Sequence, residues 1–188
     1  MVASGTVKRG RLIDYGIVAV VAIALALLIQ AFLVKPYRIP SESMAATLAP
    51  RDRVLVNRVV YRLHAPERGD IVVIDSAVVG RILIKRVVAL PGETISVDGG
   101  AVYIDGRRLD EPYVHRVDGE TEPTEPFRGA GQACSLERPY KVPAGRYFLM
   151  GDNRVVSDDS RDWGPAPRRE IIGEAFFTYW PLSRLHGL

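Results

Sequence analysis

Two hydrophobic textures divide the chain. Residues 15–34 read YGIVAVVAIALALLIQAFLV, apolar around the whole helical circumference, with Gln30 the one strongly polar exception. At about 1.5 Å per residue such a helix is roughly 30 Å long, the hydrocarbon thickness of a bilayer. From Lys35 onward the texture changes to short β-branched runs at 54–56, 71–74, 82–90, 94–97, 101–104, 147–150 and 171–180. Asp98-Gly99-Gly100 falls between two of these runs, a strong short-range hairpin signal. Long amphipathic helical periods are absent. The pattern predicts a mainly β protein: a single N-terminal transmembrane α-helix, then an antiparallel sheet folded over or closed toward a barrel.

This divides the chain into a tail at 1–14, an anchor at 15–34 and a β-rich domain at 35–188. Lys8, Arg9 and Arg11, partly offset by Asp14, precede the apolar run. Basic residues at that end predict a cytoplasmic tail and a domain on the far side of the membrane. A cleavable secretory signal also starts with basic residues, but its apolar core is about 7–15 residues and a small-x-small site follows it. Here the run is longer and ends in Lys35-Pro36-Tyr37-Arg38, which favours a retained anchor. Between 118 and 139 the composition turns to Gly, Pro and Glu without periodicity, predicting a variable surface loop or extended hairpin that contains Cys134.

Composition narrows the chemistry. The 188 residues carry 25 Lys+Arg against 22 Asp+Glu, a net charge of +3, with no basic run interleaved with aromatics, so nucleic acid is a poor partner. One cysteine excludes an internal disulfide and a multi-cysteine metal site. His64, His115 and His186 are scattered without metal-ligand spacing, and no phosphate loop or Gly-x-Ser-x-Gly elbow occurs. No metal or cofactor is expected.

Lysine placement says more. Only Lys8, Lys35, Lys85 and Lys141 occur, and Lys85 alone interrupts a hydrophobic run, RILIKRVVAL. Period-2 alternation sets it on the face of Leu83 and Val87. Buried there, its amine would lose pKa and become a usable general base. Taken from this segment alone, a lysine snorkelling at a sheet edge is the simpler reading. A hydroxyl partner stands in Ile39-Pro40-Ser41-Glu42-Ser43-Met44, within about 30 Å of extended chain from the anchor. Alone, Ser41 and Ser43 read as caps of a short turn. A third segment, GDNRVVSDDSRDWG at 151–164, reads as an ordered polar loop braced by opposite charges such as Asp159 and Arg161.

Together these blocks resemble the bacterial type I signal peptidases, membrane-anchored serine proteases with a Ser-Lys dyad. The resemblance rests on Pro40-Ser41-Glu42-Ser43-Met44 with Thr47-Leu48, on 52–57, on 68–72, on Lys85-Arg86 through Glu93, and on Gly151-Asp152-Asn153-Arg154 with Ser157, Asp159, Arg161 and Trp163-Gly164. It implies Ser43 as nucleophile and Lys85 as general base, with Ser41 and the Ser43 N–H as oxyanion donors. It further implies that Ser157 orients the lysine, that Asp159 and Arg161 form a supporting ion pair, and that Ile39 and Ile84 line pockets for small side chains. The implied substrates are signal-peptide-bearing preproteins at the bacterial inner membrane, with the lipid bilayer as second partner. Two positions depart from the family's habit: Glu42 where a small residue is common, and Ala46 where proline is. The family's larger members carry a second membrane segment and an extra β insertion, neither visible here. A pilin-type Ser-Lys processing peptidase and a tethered β domain that only binds peptides are the competing readings.

Overall fold

The computed structural model describes residues 14–25, 33–117, 119–121, 123–126 and 134–188. They form two units, one ending at Lys35 and one running from Pro36 to Leu188. In the first, residues 14–25 are helical. Among the described residues no helix is long and apolar enough to cross a membrane. The expected anchor at 15–34 lies partly outside the described residues, at 26–32, as does most of the expected tail.

The second unit is antiparallel β, as the alternating runs predict. Its large sheet contains the part of β1 (Val34–Arg38) from Pro36 onward, β2 (Arg53–Asn57), β3 (Ile71–Ser76) and β4 (Arg81–Ala89). It is completed by β11 (Arg146–Met150), β12 (Ala166–Pro167), β13 (Ile171–Trp180) and β14 (His186–Gly187). The order is β1-β2-β13-β3-β4-β11-β12, with β14 also on β13. A smaller sheet, ordered β10-β5-β6-β7, is built from β5 (Thr94–Asp98), β6 (Ala101–Ile104), β7 (Arg107–Arg108) and β10 (Tyr140–Lys141). Gly99 and Gly100, at φ 52° and 79°, make the hairpin between β5 and β6. Both values are positive, the geometry that matches a two-residue turn to strand twist.

Each run predicted as a strand is one, because β-branched residues suit a pleated, half-buried surface. On β3, Ile71 and Val73 enter one apolar cluster with Ile39, Met44, Leu48 and Ile84. Val72 and Ile74 enter another with Val87, Leu149 and, at its edge, Leu83. A third cluster joins Val88, Phe148 and Met150 to the small sheet. β4 is buried on both faces from Ile84 onward, and this is why its sequence reads as a run rather than an alternation.

The described part of the 118–139 segment begins with a short hairpin, one of its two predicted forms. β9 (Glu120–Thr121) pairs with β8 (Arg116–Val117). Cys134 is buried, its Sγ–H donating to the Ile95 carbonyl at 2.7 Å. Burial pushes its thiol up to about 11, so it remains protonated at neutral pH. Residues 118, 122 and 127–133 lie outside the described residues.

Candidate active site

Three of the predicted residues meet at one cleft. Ser41, Ser43 and Lys85 line a cavity of about 580 Å³ together with Pro40, Glu42, Leu83 and Val156. Ser43 stands in a tight turn after β1, where the Leu48 N–H donates to the Met44 carbonyl at 2.7 Å. Met44 and Leu48 are both fully buried and anchor this turn in the core. Ser43 itself is half-exposed, and Ser41 donates a long hydrogen bond of 3.3 Å to its Oγ. Ala46 takes φ 81°, a left-handed conformation that a proline ring forbids.

Lys85 reaches the cleft from β4. Its Cα lies opposite Val72 in the β3 register, and Leu83 lies opposite Ile74, so Lys85 and Leu83 share one face. Lys85 is 2% exposed. Its Nζ donates to Ser157 Oγ at 2.9 Å rather than to Ser43 Oγ. Burial brings the amine down to about 8. Asp159 and Asp158 oppose that fall, and Arg161 and Arg81 assist it. A snorkelling lysine would show a wet head group, and this one does not.

Behind the amine stands a chain of buried groups. Ser157, itself buried, stands near the Asp159 carboxylate and helps hold it ionised. Arg161 grips Asp159 with two contacts, Nε–Oδ1 at 2.8 Å and Nη2–Oδ2 at 2.9 Å. Burial works against ionisation of Asp159, but these partners outweigh it and hold the carboxyl below its ordinary range. Asp159 also caps the short helix Ser160–Trp163 in a capping box with Asp162. One carboxylate therefore fixes both the helix start and the far end of the Ser157 loop.

Ile39 and Ile84 lie next door. They line an apolar pocket of about 240 Å³ with Tyr37 and Val73, and this pocket shares Pro40, Ile82 and Leu83 with the main cleft. At the cleft mouth Arg81 and Asp158 form an exposed ion pair at 2.9 Å.

Four further residues to which the sequence assigns no role build the site. Arg86, next to Lys85, forks onto Asp152 with bonds of 2.8 and 2.7 Å. Thr47 Oγ1 donates to the same carboxylate at 2.5 Å. The network ties β4 to the Ser43 turn and to the 151–157 loop. Gly151 is the fourth: a Cβ there would collide with Ser157 Oγ and with the Ser43 carbonyl. The Asn153 N–H donates to that carbonyl at 3.1 Å. The Arg86–Asp152 pairing spans 66 positions, so no local pattern in the sequence marks it. Among the described residues no three metal-ligating side chains gather at one point.

Comparison with known proteins gives this arrangement a lineage. The family model described as signal peptidase, peptidase S26, matches residues 12–180. A probable signal peptidase I-1 of Synechocystis sp. is 41% identical over 172 residues, covering 87% of this chain and 80% of its own. Signal peptidase I S of Bacillus subtilis is 35% identical over 185 residues, covering 95% of this chain and 94% of its own. A crystal structure of a signal peptidase I from Enterococcus faecalis V583, 35% identical, covers 58% of this chain and 95% of that one at a TM-score of 0.48. A family match over most of the length, on a chain whose cleft unites a serine hydroxyl with a dry lysine, leads to one assignment: the chain belongs to the signal peptidase family, peptidase S26.

Proposed function

We propose that this protein is a membrane-anchored serine endopeptidase that removes signal peptides from exported preproteins through a Ser43–Lys85 dyad. The observation that carries this reading is the partner of Lys85: a buried amine, lining the same cleft as the candidate nucleophile, that rests on a hydroxyl instead of a carboxylate. Such an amine can be neutral near pH 8.

Neutral Lys85 takes the proton of Ser43 as Oγ attacks the scissile carbonyl carbon. The Ser41 hydroxyl and the Ser43 N–H donate to the oxygen that becomes negative, each such donor being worth about 3–4 kcal/mol. Lys85 then hands its proton to the departing amine, leaving an ester on Ser43. A water deprotonated by Lys85 hydrolyses that ester, and the enzyme is restored. The shallow apolar pocket at Ile39 and Ile84 suits small side chains at the −1 and −3 positions of an A-x-A-like site.

The apolar run at 15–34 serves as the single-pass anchor, with the basic tail cytoplasmic and the β domain extracytoplasmic. Signal peptides are themselves held in the bilayer. Tethering enzyme and substrate to one surface raises their effective concentration.

The test is to incubate the detergent-solubilised protein with a preprotein and map the cut by mass spectrometry. Cleavage after a small residue, lost in Ser43→Ala, is the expected result. Uncut preprotein bound by a chain that no acylating lactam labels at Ser43 would instead describe a peptide-binding domain.

A further inference from the structure

We infer that Glu111 and Arg154 are positioning residues for the reaction: the stretch 111–115 clasps the loop that carries Ser157 and so holds the Lys85 slot shut. This rests on the reading of Lys85 as the base.

Arg154 is fully buried at the middle of the 151–157 loop. Its Nη2 contacts Glu111 Oε1 at 2.5 Å and its Nη1 contacts Glu111 Oε2 at 3.2 Å. Nη1 also donates to Thr124 Oγ1 at 2.7 Å, and Nε donates to the Gly151 carbonyl at 3.0 Å. The Arg154 carbonyl in turn accepts from Arg161 Nη2 at 2.7 Å. One residue thus staples the start of the loop to its end and to a segment about forty positions earlier in the chain.

Two neighbours of Glu111 hold the same loop. The His115 N–H donates to the Asp152 carbonyl at 2.9 Å. The Tyr113 ring lies under the Arg86 guanidinium, 4.1 Å from its centroid, and Arg86 holds the Asp152 side chain. The clasp therefore meets residues 152 and 154 just beyond Gly151, whose backbone abuts both Ser157 and the Ser43 carbonyl.

A buried ion pair is a weak source of net stability, since desolvation offsets most of its attraction. What this one supplies is geometry. Ser157 reaches Lys85 only if the loop keeps its path, and a loosened loop would admit water to the amine. The charged groups that bear most on Lys85 are Asp158, Asp159 and Arg161 from the 151–164 segment and Arg81 from its own strand. Glu111 meets Arg154 instead, and its influence is transmitted through the path of the loop.

Full-length protein in detergent, assayed with a preprotein from pH 6 to 10, tests this. Glu111→Gln should lower kcat about ten- to a hundredfold, because small misplacements of a reacting group carry penalties of that size. KM should stay within about twofold, since neither residue lines the substrate cleft. The acid limb of the rate should climb by about one pH unit as the slot hydrates. Thr124→Val, which uncovers no charge, should move both readouts the same way but less, and Glu111→Asp should restore part of the rate. If Glu111→Gln does not fold, those two variants decide. A folded variant with wild-type kcat and an unmoved limb overturns the clasp, whatever its melting temperature. A wild-type profile with no limb below about 9 would instead remove Lys85 as base, so the two failures are distinct.

Discussion

Two sets of buried cations lie side by side in this structure. Arg86, Arg154 and Arg161 each fork onto a carboxylate, of Asp152, Glu111 and Asp159 respectively. Lys85, equally buried, is given among the described residues only the Ser157 hydroxyl. In a low-dielectric interior a carboxylate fixes its partner's charge, whereas a hydroxyl serves an ammonium as acceptor and a neutral amine as donor or acceptor. Arginine stays protonated in any protein, so pairing is the one condition under which it can be buried. Lysine can shed its proton, and leaving it unpaired lets burial pull its pKa down to about 8. The arginine pairs build the frame, and among the described residues no fourth carboxylate pairs with Lys85, which leaves room for the proposed base.

The most severe way to break that contrast is to place an arginine in the lysine slot. Lys85→Arg keeps a cation but removes the neutral state, and both Asp159 oxygens are already held by Arg161. Preprotein processing should fall by on the order of 10⁴-fold or more, the scale seen when a dyad or triad member is lost. Cleavage kinetics together with a circular dichroism spectrum check this. A folded, active Lys85→Arg would mean that proton abstraction lies elsewhere.

Next in size is removal of one carboxylate from the frame. Asp159→Asn strands the Arg161 charge among buried groups, which should cost about 3–5 kcal/mol in denaturant unfolding. Asp159 also holds the Lys85 pKa up, so in any folded fraction the acid limb of the rate should move to lower pH. A loss below about 1 kcal/mol would place this pair with exposed ones in energetic terms.

The converse variant, Lys85→Met, should stabilise. Below pH 8 the native and unfolded chains both hold the lysine proton, and the native chain bears the burden of a buried charge. Between about 8 and 10.5 the unfolded chain keeps a proton that the native chain has released, so wild-type stability rises with pH across that window. Above it the slope from this residue ends. The full difference corresponds to about 3 kcal/mol. Lys85→Met should therefore be inactive, more stable than wild type by about that amount at pH 7, and level with it above pH 10.5. Chemical denaturation at the two pH values reads this directly.

How much of this was legible in the sequence follows from what each feature depends on. The strands were legible because β-branched runs are local, and the 99–100 hairpin because two glycines at positive φ have few other uses. Lys85 stood out as a charge inside an apolar run, but its burial was not decidable there: the same letters fit a wet sheet edge. The resemblance to a known family tipped Ser43 and Lys85 toward chemistry, and the cleft then brought the two together. The pairings of Arg86 with Asp152 and Arg154 with Glu111 span 66 and 43 positions, beyond the reach of any periodicity. Cys134, read as part of a surface loop, is buried against Ile95 because a strand edge supplies an acceptor that the loop's composition could not reveal.

The smallest effect concerns the pair at the cleft mouth. Arg81 and Asp158 lie 2.9 Å apart with side chains 60% and 47% exposed, so water screens them and their contact should be worth only about 0–1 kcal/mol. They act on Lys85 in opposite senses, Arg81 lowering its pKa and Asp158 raising it. Arg81→Gln should therefore move the acid limb of the cleavage rate up, and Asp158→Asn should move it down. Each displacement should be well under one pH unit and should shrink as salt is raised. Stability should change little in either variant. Equal shifts in the same direction would show that these residues act by reshaping the cleft, whereas opposite, salt-sensitive shifts would show that Lys85 responds to charge at a distance while burial sets its resting value.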